Sequence, residues 1–288
     1  MTGYGGQSMV APLRRVMVRR PDAAFGMADP ARWHYAAQPD LAGARVEHDA
    51  FVSLLRAGGA EVLYHDEPMP EHADAIFVHD PVLMCDRGAI LLRMGKPLRW
   101  GEEQALGRTL ERAGVPIVAR LHGDALAEGG DLLWLDGETL VVGLGFRTNG
   151  EGLRQLGEAL GPSVELVPVE LPYFDGPEAC LHLMSVISLL DQKLAVVYPR
   201  LLPVPFWQLL RGLGFELIEV PDVEFRTHAC NVLALEPRHC VMLAGNPITR
   251  RRLEAAGCEV RTYVGREITL KAEGGATCLT RPILRTGV

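Results

Sequence analysis

Apolar residues recur at three- and four-residue spacing in five stretches of the chain. Each stretch stops at a glycine and runs on into a short β-rich segment. The five read EHDAFVSLLRAGG-AEVLYH, GEEQALGRTLERAG-VPIVAR, EGLRQLGEALG-PSVELVPV, VPFWQLLRGLG-FELIEV and PITRRRLEAAG-CEVRTYV. Such spacing puts the apolar side chains on one face of a helix, and a glycine suits the left-handed position that closes a helix. The closing glycines are Gly59, Gly114, Gly161, Gly214 and Gly257, at separations of 55, 47, 53 and 43 residues.

A candidate hairpin follows each helix–strand pair: DAIFVHDPVLMCDRGAILLR, EGGDLLWLDGETLVVGLG, CLHLMSVISLLDQKLAVVYP, HACNVLALEPRHCVMLAG and GGATCLTRPILR. Asp136-Gly137 reads as a two-residue turn between apolar runs, and Pro237-Arg238 fits a turn in the fourth hairpin. Five units of helix, strand and hairpin thus fill residues 45 to 288. Each unit buries one sheet face and needs neighbours, so a single α/β domain with rough fivefold repetition is the economical arrangement. Residues 1 to 14 are left as a tail open to disorder.

The polar residues fall at one phase of this repeat. Every candidate hairpin begins with groups that are costly to bury unpaired: Asp80, Glu128 with Asp131, His182, Asn231 and Cys278. In a cyclic arrangement, equivalent strand starts converge near the axis. A carboxylate, a histidine and a cysteine would then share one cleft.

Composition narrows the chemistry. With 48% hydrophobic and 23% charged residues the chain is an ordinary globular one. A net charge of -7 without a basic run argues against a nucleic-acid partner and suits a cationic ligand. No apolar run of about 18 residues suggests a membrane span, and the first residues do not read as a secretory signal. Cys85, Cys180, Cys230, Cys240, Cys258 and Cys278 are too sparse for a disulfide scaffold, which points to reduced thiols in the cytoplasm. There is no CxxC, no helical HxxxH and no GxGxxG after a strand, so neither zinc nor a dinucleotide is expected.

Cys278, in GGATCLTRPI, can be a small core residue or a thiolate nucleophile. His182, between leucines, can be a hydrogen-bonded core residue or an acid/base near neutral pH. Glu128 and Asp131 bracket two glycines as turn carboxylates, as an orienting partner for His182, or as binders of a cation. Asp80, before Pro81, is a turn residue or an anchor for a guanidinium. Arg99 and Arg147 are solvated arginines or a clamp for a substrate carboxylate.

In their order along the chain, DAIFVHDPVLM, LRMGKPLRWGE, EGGDLL, GLGFRTN, CLHLMS, ACNVLAL and GGATCLTRPI resemble the pentein, or guanidino-group-modifying, superfamily. Among its members the dimethylarginine dimethylaminohydrolases are most similar. The resemblance implies a five-bladed ββαβ propeller with pseudo-fivefold symmetry, in agreement with the repeat. It implies Cys278 as nucleophile, His182 as acid/base, Glu128 as its carboxylate partner, Asp80 and Asp74 as guanidinium-binding acids, and Arg99 and Arg147 as holders of a substrate carboxylate. Residues 24 to 38 resemble the family's lid in position and composition. The implied activity is cofactor-free hydrolysis of a small guanidino compound, methylarginine to citrulline in particular. Amidinotransferase, arginine deiminase and a non-catalytic binding member are the alternatives, and a homodimer is allowed. Two positions depart from the pattern. His79 stands where an acid is usual, which suggests an altered or less cationic substrate. Met184 stands where deiminases and amidinotransferases have aspartate, which disfavours both.

Overall fold

The structure, a computed structural model, describes residues 3–179 and 181–286. Within them the strands form five three-stranded sheets arranged as the blades of a propeller. The first blade takes β1 (Leu13–Val18), is crossed by α1 (Ala23–Gly26), α2 (Pro30–Trp33) and α3 (Leu41–Ala57), and ends with β2 (Glu61–Tyr64). The second runs β3 (Val82–Cys85), β4 (Gly88–Leu91), α4 (Glu102–Arg112), β5 (Ile117–Arg120). The third runs β6 (Leu132–Trp134), β7 (Thr139–Leu144), α5 (Gly150–Leu160), β8 (Glu165–Glu170). The fourth runs β9 (Ile187–Asp191), β10 (Leu194–Val197), α6 (Val204–Gly212), β11 (Glu216–Glu219). After α7 (Asp222–Phe225), the fifth runs β12 (Leu233–Glu236), β13 (His239–Leu243), α8 (Pro247–Ala255), β14 (Glu259–Tyr263). Last comes β15 (Arg281–Arg285), which pairs antiparallel with β1 and completes the first blade.

In every blade the middle strand is antiparallel to the inner one and parallel to the outer one. A parallel pair needs a crossover, and the helix supplies it. The helix buries its apolar stripe on the blade: Phe51 and Leu55 of α3, Leu106 and Leu110 of α4, Phe206 and Leu210 of α6 are all at most 1% exposed. Each such side chain contributes about 1.5–3 kcal/mol by leaving water.

The repeat is therefore present but with a different phase. The helix and strand that close a blade belong to the hairpin before them, not to the one after. GGATCLTRPILR is not a hairpin; it holds the single strand β15, whose partner β1 comes from the other end of the chain. Residues 3–14 take part in this closure, with Gly5 bridged to Leu284 and Leu13 already in β1. The five closing glycines all have left-handed backbone, φ between 80° and 88°. Pro237-Arg238 forms its turn, with Arg238 at φ 64°. At Asp136-Gly137 the loop is one residue longer than expected: Leu135 N donates to Thr139 O, and Asp136 Oδ1 accepts from Glu138 N.

The inner strands β3, β6, β9, β12 and β15 are almost wholly buried, while the outer strands alternate with solvent. Asp80, Glu128, His182, Asn231 and Cys278 lie just before the five inner strands, at one end of the propeller. Among the described residues no helix is long and apolar enough to cross a membrane.

Candidate active site

A cavity at that end is lined by Asp80, His182, Asn231 and Cys278, with Asp74, Lys96, Arg99 and Arg147 on the same wall. Cys85, Cys230, Cys240 and Cys258 are buried, whereas Cys278 is partly exposed to the cavity; Cys180 lies outside the described residues. Asn231 Nδ2 donates to Cys278 Sγ at 3.3 Å, and Asn231 Oδ1 accepts from Thr277 N at 2.9 Å. One side chain thereby fixes the loop and contacts the sulfur. A Cβ at Gly275 would collide with the Asn231 amide, which is why glycine precedes the cysteine.

His182 Nε2 lies 2.7 Å from Glu128 Oε2. Glu128 is fully buried. Burial by itself would raise its pKa, but the hydrogen bond from His182 and the charge of Arg147 prevail and hold the carboxyl below the usual range. An ionised carboxylate only accepts, so Nε2 carries the hydrogen and Nδ1 is the basic nitrogen of the neutral ring. Glu128 Oε1 also accepts from the backbone N–H of Gly95 and Lys96, at 2.9 and 3.1 Å. These bonds lock the acid, and through it the ring. A Cβ at Gly130 would strike His182 Nδ1, so the EGGD glycines are needed for the close approach.

Asp80 Oδ1 accepts from Gly130 N at 3.0 Å and Oδ2 from Arg99 Nη1 at 2.6 Å. Its pKa would rise with burial, yet Arg99 and then His182 draw it down, so it faces the cavity as a carboxylate. Arg99 also bonds Glu102 through Nε and Nη2 and the Phe77 carbonyl through Nη2. Expected as a clamp for a substrate carboxylate, Arg99 is placed instead as the group that aims and charges Asp80. Arg147 also lines the cavity, with Nη1 3.4 Å from Glu128 Oε1.

Asp131, expected as a binder of a cation, is not among the residues that line the cavity. Both oxygens are taken, by Thr148 Oγ1 at 2.7 Å and Leu183 N at 2.9 Å, and burial pushes its pKa up to about 6. It ties the Glu128 loop to the His182 loop. Asp74 lines the cavity but holds Tyr35 OH at 2.8 Å and Lys96 Nζ at 2.7 Å. His79 does not line the cavity. Its Nδ1 meets the Thr280 carbonyl at 2.9 Å, and burial and then Arg281 lower its pKa to about 3, so the ring is neutral. Met184 is buried in the core. From the segment 24–38 expected as a lid, Trp33 and His34 stand on the cavity wall.

Asp80, Glu128 and His182 bring ligand atoms within 4.8 Å of one another, as a metal site would. The donors are already committed to each other and to Arg99 and Arg147, and two guanidinium charges oppose a divalent cation.

The family model described as N,N dimethylarginine dimethylhydrolase, eukaryotic, matches residues 31–285. The chain belongs to the dimethylarginine dimethylaminohydrolase family. The N(G),N(G)-dimethylarginine dimethylaminohydrolase of Streptomyces coelicolor is 31% identical over 93% of this chain and 96% of its own. That of Pseudomonas aeruginosa is 29% identical over 93% and 98%. A Pseudomonas aeruginosa family structure, a cysteine-to-serine mutant complexed with citrulline, superposes with a TM-score of 0.78 at 25% identity, over 93% of this chain and 98% of that one. Membership of the dimethylarginine dimethylaminohydrolase family agrees with the five-bladed fold and with the hydrolase reading of the motifs. Lys96 and the roles of Asn231, Arg99 and Asp131 are what the sequence did not reveal. Asn231 carried the phase signal of the strand starts, but a lysine beside proline carries none.

Proposed function

We propose that the chain is a cytoplasmic cysteine-dependent hydrolase converting Nω-methylated arginine to citrulline and a methylated amine. What carries the reading is the convergence, at one end of the propeller, of Cys278 with the His182–Glu128 pair and the Asp80 carboxylate. Asp80 holds the guanidinium by paired hydrogen bonds with its central carbon beside Cys278 Sγ, and Arg147 takes the substrate carboxylate. The Cys278 thiol gives its proton to His182, and the thiolate attacks that carbon. His182 then gives a proton to the methylated nitrogen, because an amide ion is a poor leaving group. The carbon–nitrogen bond breaks, methylamine leaves, and a thiouronium joins substrate to Cys278. Water takes the vacated place, His182 removes its proton, and the carbon–sulfur bond breaks to return the thiolate. Glu128 stabilises the positive ring that forms in each half.

The test is ureido-product formation from arginine, mono- and dimethylarginine and simple guanidines, by wild type and Cys278→Ser. Citrulline from the methylated arginines, reduced by roughly 10³-fold or more in Cys278→Ser, is the expected result. No ureido product from any of them refutes the reading.

A further inference from the structure

Lys96 lies on the wall of the catalytic cavity, with Nζ 2.7 Å from Asp74 Oδ2 and 2.9 Å from the Trp33 carbonyl oxygen. The ammonium also stands over the Trp33 ring, 5.0 Å from its centroid. Lys96 and Asp74 are 11% and 7% exposed in their side chains, and Tyr35 OH occupies the other Asp74 oxygen. Asp74, an acid on the cavity wall open to a substrate cation, therefore already holds an ammonium supplied by the protein. An incoming ammonium must either displace Lys96, leaving it buried without its counter-charge, or go unpaired itself, and both are costly. The remaining acids on the wall offer little relief. Asp80 is on Arg99 and Glu178 is 3.2 Å from His34, while Glu273 feels the charges of Arg226, His34 and Lys96. The wall also carries three cationic side chains, Lys96, Arg147 and Arg226, which meet Asp74, Glu128 and Asp175 and leave the cavity a field that suits an anionic group better than an ammonium.

We propose that Lys96 sets what the far end of the substrate must be: the site takes ω-guanidino carboxylates, and the α-amino group of an arginine derivative is dispensable. Lys96 brings to Asp74 the positive charge that the α-ammonium would otherwise bring. The turnover of such compounds rests on the hydrolase reading above, whereas their recognition is a binding property and is tested as one.

Calorimetry on Cys278→Ser protein compares Nω-methylarginine with its deamino analogue, a methylguanidino-pentanoate. The deamino compound is expected to bind at least as tightly. Adding Lys96→Met, which keeps the length of the side chain and removes the charge, shifts the ratio of the two affinities towards Nω-methylarginine by about 10-fold. Adding Lys96→Arg, which keeps the charge and reports on folding, leaves the ratio in place. Tenfold tighter binding of Nω-methylarginine by Cys278→Ser alone overturns the proposal, as does an unchanged ratio in Lys96→Met or failure of either compound to bind. Turnover by the enzyme with Cys278 intact separates the two claims: binding in the expected order with no ureido product refutes the hydrolase and leaves the role of Lys96 standing.

Discussion

Glu128 and His182 come from neighbouring blades and meet at 2.7 Å with the carboxylate wholly buried. A neutral amide in place of Glu128 keeps the shape but not the support for a cationic ring. Glu128→Gln is expected to lower kcat by about 10²-fold or more, with a much smaller change in KM, in steady-state kinetics. The same residue sets a pH dependence of stability. Its folded pKa lies below its ordinary value, so its contribution is complete above about pH 4.5 and is lost as pH falls through the folded value. Asp131 acts in the opposite sense. Raised to about 6, it binds its proton more tightly in the fold, so it favours folding as pH falls from about 6 to 4. Urea unfolding against pH separates them: Glu128→Gln flattens the loss of stability below pH 4.5, and Asp131→Asn removes the gain between 6 and 4. That Cys278, His182, Glu128 and Asp80 meet at one end of the propeller was legible because the same phase recurs in every unit. The roles of Arg99 and Asp131 were not, because a buried charge is defined by a partner that spacing does not name.

The five long helices were legible at their closing ends, since apolar spacing and a closing glycine give one answer, although α3 begins at Leu41, ahead of the stretch that the spacing marked. At Gly114 a Cβ meets nothing within 4 Å, so only the backbone, at φ 80°, demands glycine. Gly114→Ala is expected to cost about 1 kcal/mol, read as a shifted urea midpoint with kcat unchanged. Gly130 makes the contrasting demand, for space. Gly130→Ala is expected to retain the fold and lower kcat by at least about 10-fold by pushing His182 from Glu128, measured by kinetics beside a melting curve. Of the short helices, α1 and α2 were not legible, being four residues each and shorter than any periodic window. They are set by Asp22 and Asp29, whose side chains cap their first N–H groups.

At the scale of the molecule, the ring is closed by β1 lying between β2 and β15. Periodicity announced five units but not which helix closes which hairpin, because pairing across blades leaves no trace in spacing. Residues 1 to 14 were left open to disorder for the same reason, yet Val10 and Leu13 are buried and Gly5 is bridged to Leu284. A chain lacking residues 1–18 is expected to lose its cooperative unfolding transition, by calorimetry, since β15 loses its partner just after Cys278. The central claim is that this closure delivers a covalent nucleophile to a guanidinium carbon. Intact-protein mass spectrometry after acid quench of wild type turning over Nω-methylarginine tests it most directly. The expected result is a mass gain equal to the substrate less methylamine, located on Cys278 and missing in Cys278→Ser. Citrulline formation with no adduct at any time of quench, or with the adduct on another residue, would contradict it.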